Sequence, residues 1–276
     1  MGTALGRALD ADGHQVVGFD VATVPHDDVR DASRLGQAVR GCDGVIHLAA
    51  VSRVAWAHAD PERCWSVNVG GVENLLAALT AQQWVLFASS REVYGNPARL
   101  PATEDAAMRP LNVYARAKIE GERLVREHPR QAIVRLSNAY GPVADHADRV
   151  VPAFARAAAR GGSVRVDGAG RTFDFVHLDD VVTGVYALVR RLASGDELPP
   201  VHLTTGVGTS LGRLAELATR HGATAASPGV ERDYDVERFV GDPARAEALL
   251  GWRPTVSIDQ GFARLVADLR REAATA

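Results

Sequence analysis

Tyr114 and Lys118 stand four residues apart in NVYARAKIEGERL (112–124), and Lys118 is the sole lysine in a chain that carries thirty arginines. In a helix that spacing puts both side chains on one face. A free phenol, with a pKa near ~10, is a poor base at neutral pH. A neighbouring ammonium favours the phenolate and brings it toward the working range. The compact lysine head can also bond ribose hydroxyls beneath the phenol, where a broad planar guanidinium fits badly. Tyr114 therefore reads as a general base and Lys118 as its electrostatic support. Upstream, WVLFASSREVYG (84–95) closes an apolar run in Ser89-Ser90. A hydroxyl at the C-terminal edge of a parallel sheet lies where open α/β folds bind ligands, and Ser90 becomes the third candidate.

The elements that must hold these groups alternate along the chain. HQVVGF (14–19), GVIHLA (44–49), WVLFAS (84–89), AIVRLS (132–137) and PVHLTT (200–205) have the short, β-branched apolar character of strands. Helical patterns at 31–40, 67–81 and 113–128 separate them. Nearly continuous apolar strands alternating with helices predict an α/β, Rossmann-like, doubly wound parallel sheet covered on both faces. After residue 140 the rhythm changes: a helix around VVPAFARAAARG, then RTFDFVHL, a helix at DDVVTGVYALVRRLA and three further helical segments. A smaller C-terminal lobe packed over the sheet is expected there. The division is 1–140 with 176–208 for the sheet lobe and 141–175 with 209–276 for the other.

VVGFD ends its expected strand in Asp20, placed to hold the ribose hydroxyls of a dinucleotide. Such an acid lies about 20 residues beyond a strand and a Gly-rich turn. Here helix TALGRALDADG comes first, and Gly2 matches the last glycine of that turn. The expectation is a lobe whose first strand and most of its pyrophosphate-cradling turn lie ahead of this sequence or have been lost.

SSREVYG, YARAK, GVIHLAA and SNAYGP together resemble the extended short-chain dehydrogenase/reductase family, in its NAD-dependent epimerase/dehydratase branch acting on nucleotide sugars. The resemblance runs from Gly2 to the C-terminus, with the Gly-rich turn as the one major departure. It implies NAD as cofactor, a nucleoside diphosphate sugar as substrate, and a homodimer formed through the helix bearing Tyr114 and its neighbour. It also implies roles for individual residues. Ser90 would bond the reacting sugar oxygen. Asp28 and Val29 would flank adenine, Leu48, Ala49 and Ala50 would line the cofactor cleft, and Asn68 would sit near the cofactor. Asn138, Arg171 and Arg232 would bind the substrate's phosphates, arginine being suited to grip phosphate oxygens in pairs. His177, alone in an apolar strand, reads as structural.

The reaction is expected to begin with removal of a hydroxyl proton and formation of a 4-keto sugar. Members that go on to lose water carry Asp-Glu directly after the strand-end hydroxyl, where this chain has Arg91-Glu92. An arginine does not give up its proton, so dehydration is disfavoured. Glu92 stays a catalytic candidate, and decarboxylation remains an alternative to the favoured 4-epimerisation. A non-redox binding or scaffold member is the alternative of another class. Bulk composition fits a soluble globular protein: 46% hydrophobic and 24% charged residues, with a formal net charge of −3, which argues against nucleic-acid and anionic-membrane binding. Two cysteines without a CxxC motif suggest neither a disulfide framework nor a metal site. No apolar run reaches ~20 residues and no leader pattern opens the chain, so a cytoplasmic protein is expected.

Overall fold

A computed structural model describes residues 1–224, 226–229 and 236–275. Its main sheet is four parallel strands in the order β1-β2-β3-β7: β1 is Gly44–His47, β2 Trp84–Ser90, β3 Gln131–Leu136 and β7 Val201–Leu203. Between β3 and β7 come β4 (Asn138–Tyr140), β5 (Val164–Val166) and β6 (Thr172–His177). The helices are α1 (Gly2–Ala11), α2 (Ala32–Ala38), α3 (Val54–Ala59), α4 (Pro61–Trp65), α5 (Gly71–Ala78), α6 (Val113–Val125), α7 (Val150–Arg160) and α8 (Leu178–Ala193). Then follow β8 (Gly208–Ser210), α9 (Leu211–Arg220), β9 (Ala226–Pro228), β10 (Arg238–Phe239), α10 (Ala244–Leu250) and α11 (Ile258–Thr275).

Both faces of the main sheet are covered, which explains why every residue of β2 is buried. Strand alternation sends Leu86, Ala88, Ala132 and Val134 to one face, under Leu5 and Leu9 of α1 and Val181, Val185 and Leu188 of α8. The opposite set, Val85, Phe87 and Ile133, packs under Leu35, Leu75 and Val125. A second core joins α7, α9 and α11 around Phe154, Leu214 and Phe262. It carries the short sheet β10-β6-β4, with β8 antiparallel to β6. A buried carboxylate marks the junction: Asp174 of β6 accepts from Thr204 Oγ1 (2.6 Å), Thr205 N (2.9 Å), Thr205 Oγ1 (2.8 Å) and Gly206 N (2.8 Å), just past β7.

One expected strand does not form. Residues 14–19 run without a ladder, and Val16 and Val17 are 41% and 64% exposed. A strand is defined by a neighbour's backbone, and no described segment pairs with this one; β1 is therefore the edge of the sheet. Among the described residues, no helix is long and apolar enough to cross a membrane.

Candidate active site

The site is built where α6 lies on β2. Asn112 caps α6, its Oδ1 accepting from Ala115 N at 2.9 Å. The face turned inward carries Tyr114, Lys118, Gly121 and Glu122. Gly121 allows the close approach, because a Cβ there would stand 2.5 Å from Phe87 Cζ. Three polar contacts then step down the strand. The Ser90 hydroxyl faces the Tyr114 phenol and favours its phenolate. Lys118 Nζ donates to the Ala88 carbonyl at 2.7 Å, and Ser89 Oγ donates to Glu122 Oε1 at 2.6 Å.

The electrostatics differ from the expectation for Tyr114. Burial pushes its phenol up to about 12, and the Ser90 hydroxyl, which favours the phenolate, only partly offsets this. The Lys118 ammonium stands 5.9 Å from the Tyr114 ring centroid and is turned instead toward Ala88 O and the face of Phe87, 4.8 Å away. Burial lowers Lys118 itself to about 8. The pair shares a face as its spacing requires, but desolvation outweighs mutual support in the free protein.

Past Ser90, a single helical turn (Arg91–Tyr94) begins with Ser90 Oγ accepting from Glu92 N at 3.2 Å. Both Glu92 oxygens are engaged: Arg91 Nη2 lies 2.8 Å from Oε1, and Asn112 Nδ2 donates to Oε2 at 3.1 Å. Arg91 stacks on Phe173 at 4.7 Å and reaches Asn138 Oδ1 at 3.4 Å. Asn138 is thereby tied to the turn that follows Ser90.

The residues expected to hold a cofactor fall into two groups. Gly2 lies beside Leu48, its notional Cβ 3.9 Å from Leu48 Cδ1, and Leu48, Ala49 and Ala50 are half-buried at the end of β1. Helix α1 starts with no side-chain cap and no acid in its first turn, so its N-terminus suits an anion. Asn68 is fully occupied by protein: Oδ1 accepts from Val51 N at 2.7 Å, and Nδ2 faces Val51 O and Cys64 Sγ. It acts on the loop after β1 rather than opening toward a ligand. Asp20 ends no strand; it sits exposed in a turn, its Oδ1 accepting from Ala22 N at 2.9 Å. Asp28 is paired with Arg30, whose guanidinium holds its carboxyl below the usual range, and Val29 is buried against Gly71.

In the second core, Arg171 closes the turn from Gly168 at the start of β6. Arg232 lies outside the described residues. His177 caps α8 by accepting from Asp179 N at 3.2 Å and packs edge-on to Tyr140 at 5.3 Å. Two residues escaped the sequence reading. Arg149, just ahead of α7, favours the Tyr114 phenolate by its charge, and nothing marks it among thirty arginines. Glu122 continues the i, i+4 series 114–118–122, a signal that was available. Among the described residues, no group of three or more His, Cys, Asp or Glu side chains could hold a metal.

Comparison with known proteins adds four findings. The model of the NAD dependent epimerase/dehydratase family matches residues 1–201. The chain is 31% identical to a UDP-glucose 4-epimerase of Mycolicibacterium smegmatis, covering 99% of this chain and 96% of that protein. It is 30% identical to UDP-glucuronic acid decarboxylase 6 of Arabidopsis thaliana over 83% of this chain and 70% of that one. Among solved structures, MoeE5 in complex with UDP-glucose and NAD has the same fold, with a TM-score of 0.89 at 24% identity, covering 99% of this chain and 96% of that one.

Proposed function

This chain belongs to the NAD-dependent epimerase/dehydratase family, and we propose that it is a nucleotide-sugar 4-epimerase working through a transient 4-keto sugar. NAD is the cofactor of the family; when bound it supplies hydride acceptance and return. The uncapped start of α1 at Gly2 and the apolar trio Leu48, Ala49 and Ala50 suit its diphosphate and its rings, and Lys118 is assigned to its ribose. Asp20, Asp28 and Val29 complete the proposed cofactor set, with Asn68 supporting it from behind through the loop after β1.

In this reading Ser90 bonds the reacting sugar hydroxyl and Tyr114 takes its proton. Tyr114 is too weak a base in the free site, so proton removal requires further positive charge near the phenol. Lys118, near neutrality at about 8, can still carry that charge at pH 7, and Arg149 adds to it. Asn138, Arg171 and Arg232 are proposed to hold the nucleotide's diphosphate.

The observation that carries epimerisation over dehydration is the buried Arg91–Glu92 pair, 2.8 Å apart and completed by Asn112. Loss of water from the 4-keto sugar needs a proton for the departing hydroxyl. Arg91 has none to give, and both oxygens of Glu92 are engaged. We assign Glu92 the role of holding the Ser90 turn against the Asn112 cap. The proposal extends to the lobe boundaries 1–140 with 176–208 and 141–175 with 209–276, to a cytoplasmic location, and to a homodimer. Trp65 of α4, beside α6 and 44% exposed, supports the last.

The test is incubation of the purified chain, supplied with NAD, with UDP-glucose and UDP-glucuronic acid, products being read by NMR. The expected product is the C4 epimer, lost by at least ~10²-fold in Tyr114→Phe. Carbon dioxide release or a 4-keto-6-deoxy product would overturn epimerisation. An equally active Tyr114→Phe would overturn the base assignment.

A further inference from the structure

We infer that Glu122, held by Ser89 and Arg135, is a positioning residue that sets Tyr114 against Ser90. The inference rests on the reading of Tyr114 and Ser90 as the proton-transfer pair.

Glu122 has no solvent exposure and Arg135 is 2% exposed. They make a two-bond fork, Arg135 Nε to Glu122 Oε1 at 2.8 Å and Nη2 to Oε2 at 2.7 Å. The Ser89 hydroxyl adds a 2.6 Å bond to Oε1, and Arg126, at the helix's partly exposed end, lies 2.8 Å from Oε2. Ser89 immediately precedes Ser90, and Glu122 stands two turns below Tyr114 on the same helix face. The bond between them therefore fixes the height of α6 along β2.

Arg135 extends the reference frame to the other side of Ser90. Its Nη1 donates to Tyr94 Oη at 2.5 Å and to the Glu104 carbonyl at 2.7 Å. Tyr94 ends the single turn that starts at Ser90, and its hydroxyl also meets His202 Nε2 of β7 at 2.6 Å. One guanidinium thus holds the helix that carries the base and the turn that follows the hydroxyl.

Stability alone does not call for this arrangement. A buried ion pair is often no more stabilising than apolar residues of the same volume, so its value lies in direction. The rest of the α6–β2 contact is apolar, Phe87 against Gly121 and Val125 within a larger cluster, and apolar contact is non-directional. Among the described residues, Lys118–Ala88 is a further side-chain hydrogen bond between α6 and β2, and Lys118 is committed to the chemistry. The Glu122 charge also favours the Lys118 ammonium, so the same residue supports the site electrically.

Ser89→Ala, Ser89→Thr and Glu122→Gln test the inference, with Tyr114→Phe as control. Ser89→Ala and Glu122→Gln should lower kcat on UDP-glucose by ~10-fold or more, the scale of a sub-ångström to 1 Å misplacement, with KM and bound NAD within ~2-fold. Ser89→Thr, which keeps the hydroxyl, should restore kcat. In crystal structures of the two damaged variants, the Tyr114–Ser90 oxygen separation should exceed that in the parent's crystal structure by about 0.5 Å or more. That measurement decides the matter without turnover, and Ser89→Ala decides alone if Glu122→Gln does not fold. An unchanged separation, or unchanged kcat beside an inactive Tyr114→Phe, overturns the clamp and leaves the proton-transfer pair standing. An active Tyr114→Phe overturns the pair itself.

Discussion

Replacing Gly121 with alanine should separate activity from stability in this protein. The added methyl carbon would stand 2.5 Å from Phe87 Cζ and 3.2 Å from both Cε atoms. Ordinary carbon contacts lie at about 3.5–4.0 Å, so relief takes roughly 1 Å. Phe87 is fully buried in the middle of β2 and has nowhere to turn, so α6 must lift or tilt. Overpacking of this kind costs ~1–3 kcal/mol, and the helix preference of alanine over glycine offsets about 1 kcal/mol. A net loss of at most ~2 kcal/mol lowers Tm by no more than about 8 °C in a chain of this size. Turnover is far more sensitive, because Tyr114 and Lys118 ride on the same helix face. A 1 Å displacement from the reacting atoms is worth ~10²-fold. The assay pairs kcat and KM on UDP-glucose with thermal unfolding of the same preparation. A variant with kcat within ~3-fold of the parent would refute the claim that the α6–β2 seat fixes the chemistry. A large fall in both Tm and kcat would show that the helix is lost rather than shifted.

Lys118→Met should abolish turnover yet stabilise the fold at pH 7. There Lys118 is protonated in both states and the folded state bears its desolvation; that penalty begins to lift above about 8 and is gone by the ordinary lysine value of 10.5. The gain should reach up to about 3 kcal/mol in urea unfolding at pH 7 and vanish near pH 10.5, while kcat of the parent falls above about 8 as the ammonium is lost. Arg91→Met strands the Glu92 carboxylate on Asn112 alone and should cost ~3–5 kcal/mol, most of it recovered by adding Glu92→Gln. NAD should bind more tightly than NADP by calorimetry because Asp20 repels a 2′-phosphate, and Asp20→Ala should erase the difference.

The parts of this molecule written locally were legible. WVLFAS and, Arg135 apart, AIVRLS are nearly continuous apolar runs because both faces of their strands are covered, and the run itself declares that burial. The spacing of Tyr114 and Lys118 gave their shared face for the same local reason. HQVVGF has equal strand character but no ladder, because a strand depends on a neighbour that its own residues do not encode. The Tyr114 phenol rises where an ammonium was expected to lower it, because desolvation is set by everything packed around α6 and by where Nζ finds a carbonyl. Glu122 was passed over because GER in a helix looks like a solvated face. Its partner, an arginine inside the apolar run AIVRLS, was the clue that a buried acid had to exist somewhere.

Asp174 bears on how ligands come and go. Its carboxylate, fully buried, takes four bonds from residues 204–206 at the junction of the two cores. Swinging one core from the other would strip a buried carboxylate of its donors, a loss of several kcal/mol. On the proposed reading, ligand exchange would then fall to the periphery, and residues 142–149 are the segment to test. That segment is held to the residues after β1 by Arg53, which pairs with Asp148 at 2.9 Å and donates to its carbonyl at 3.1 Å, and by Trp56 packed edge-on to His146 at 4.8 Å; the acid of the ion pair is 53% exposed. Such a latch weakens with ionic strength while the Asp174 knot does not. Salt should thus quicken product release without loosening the body, and a crystal that leaves the 142–149 segment free should turn over substrate without cracking.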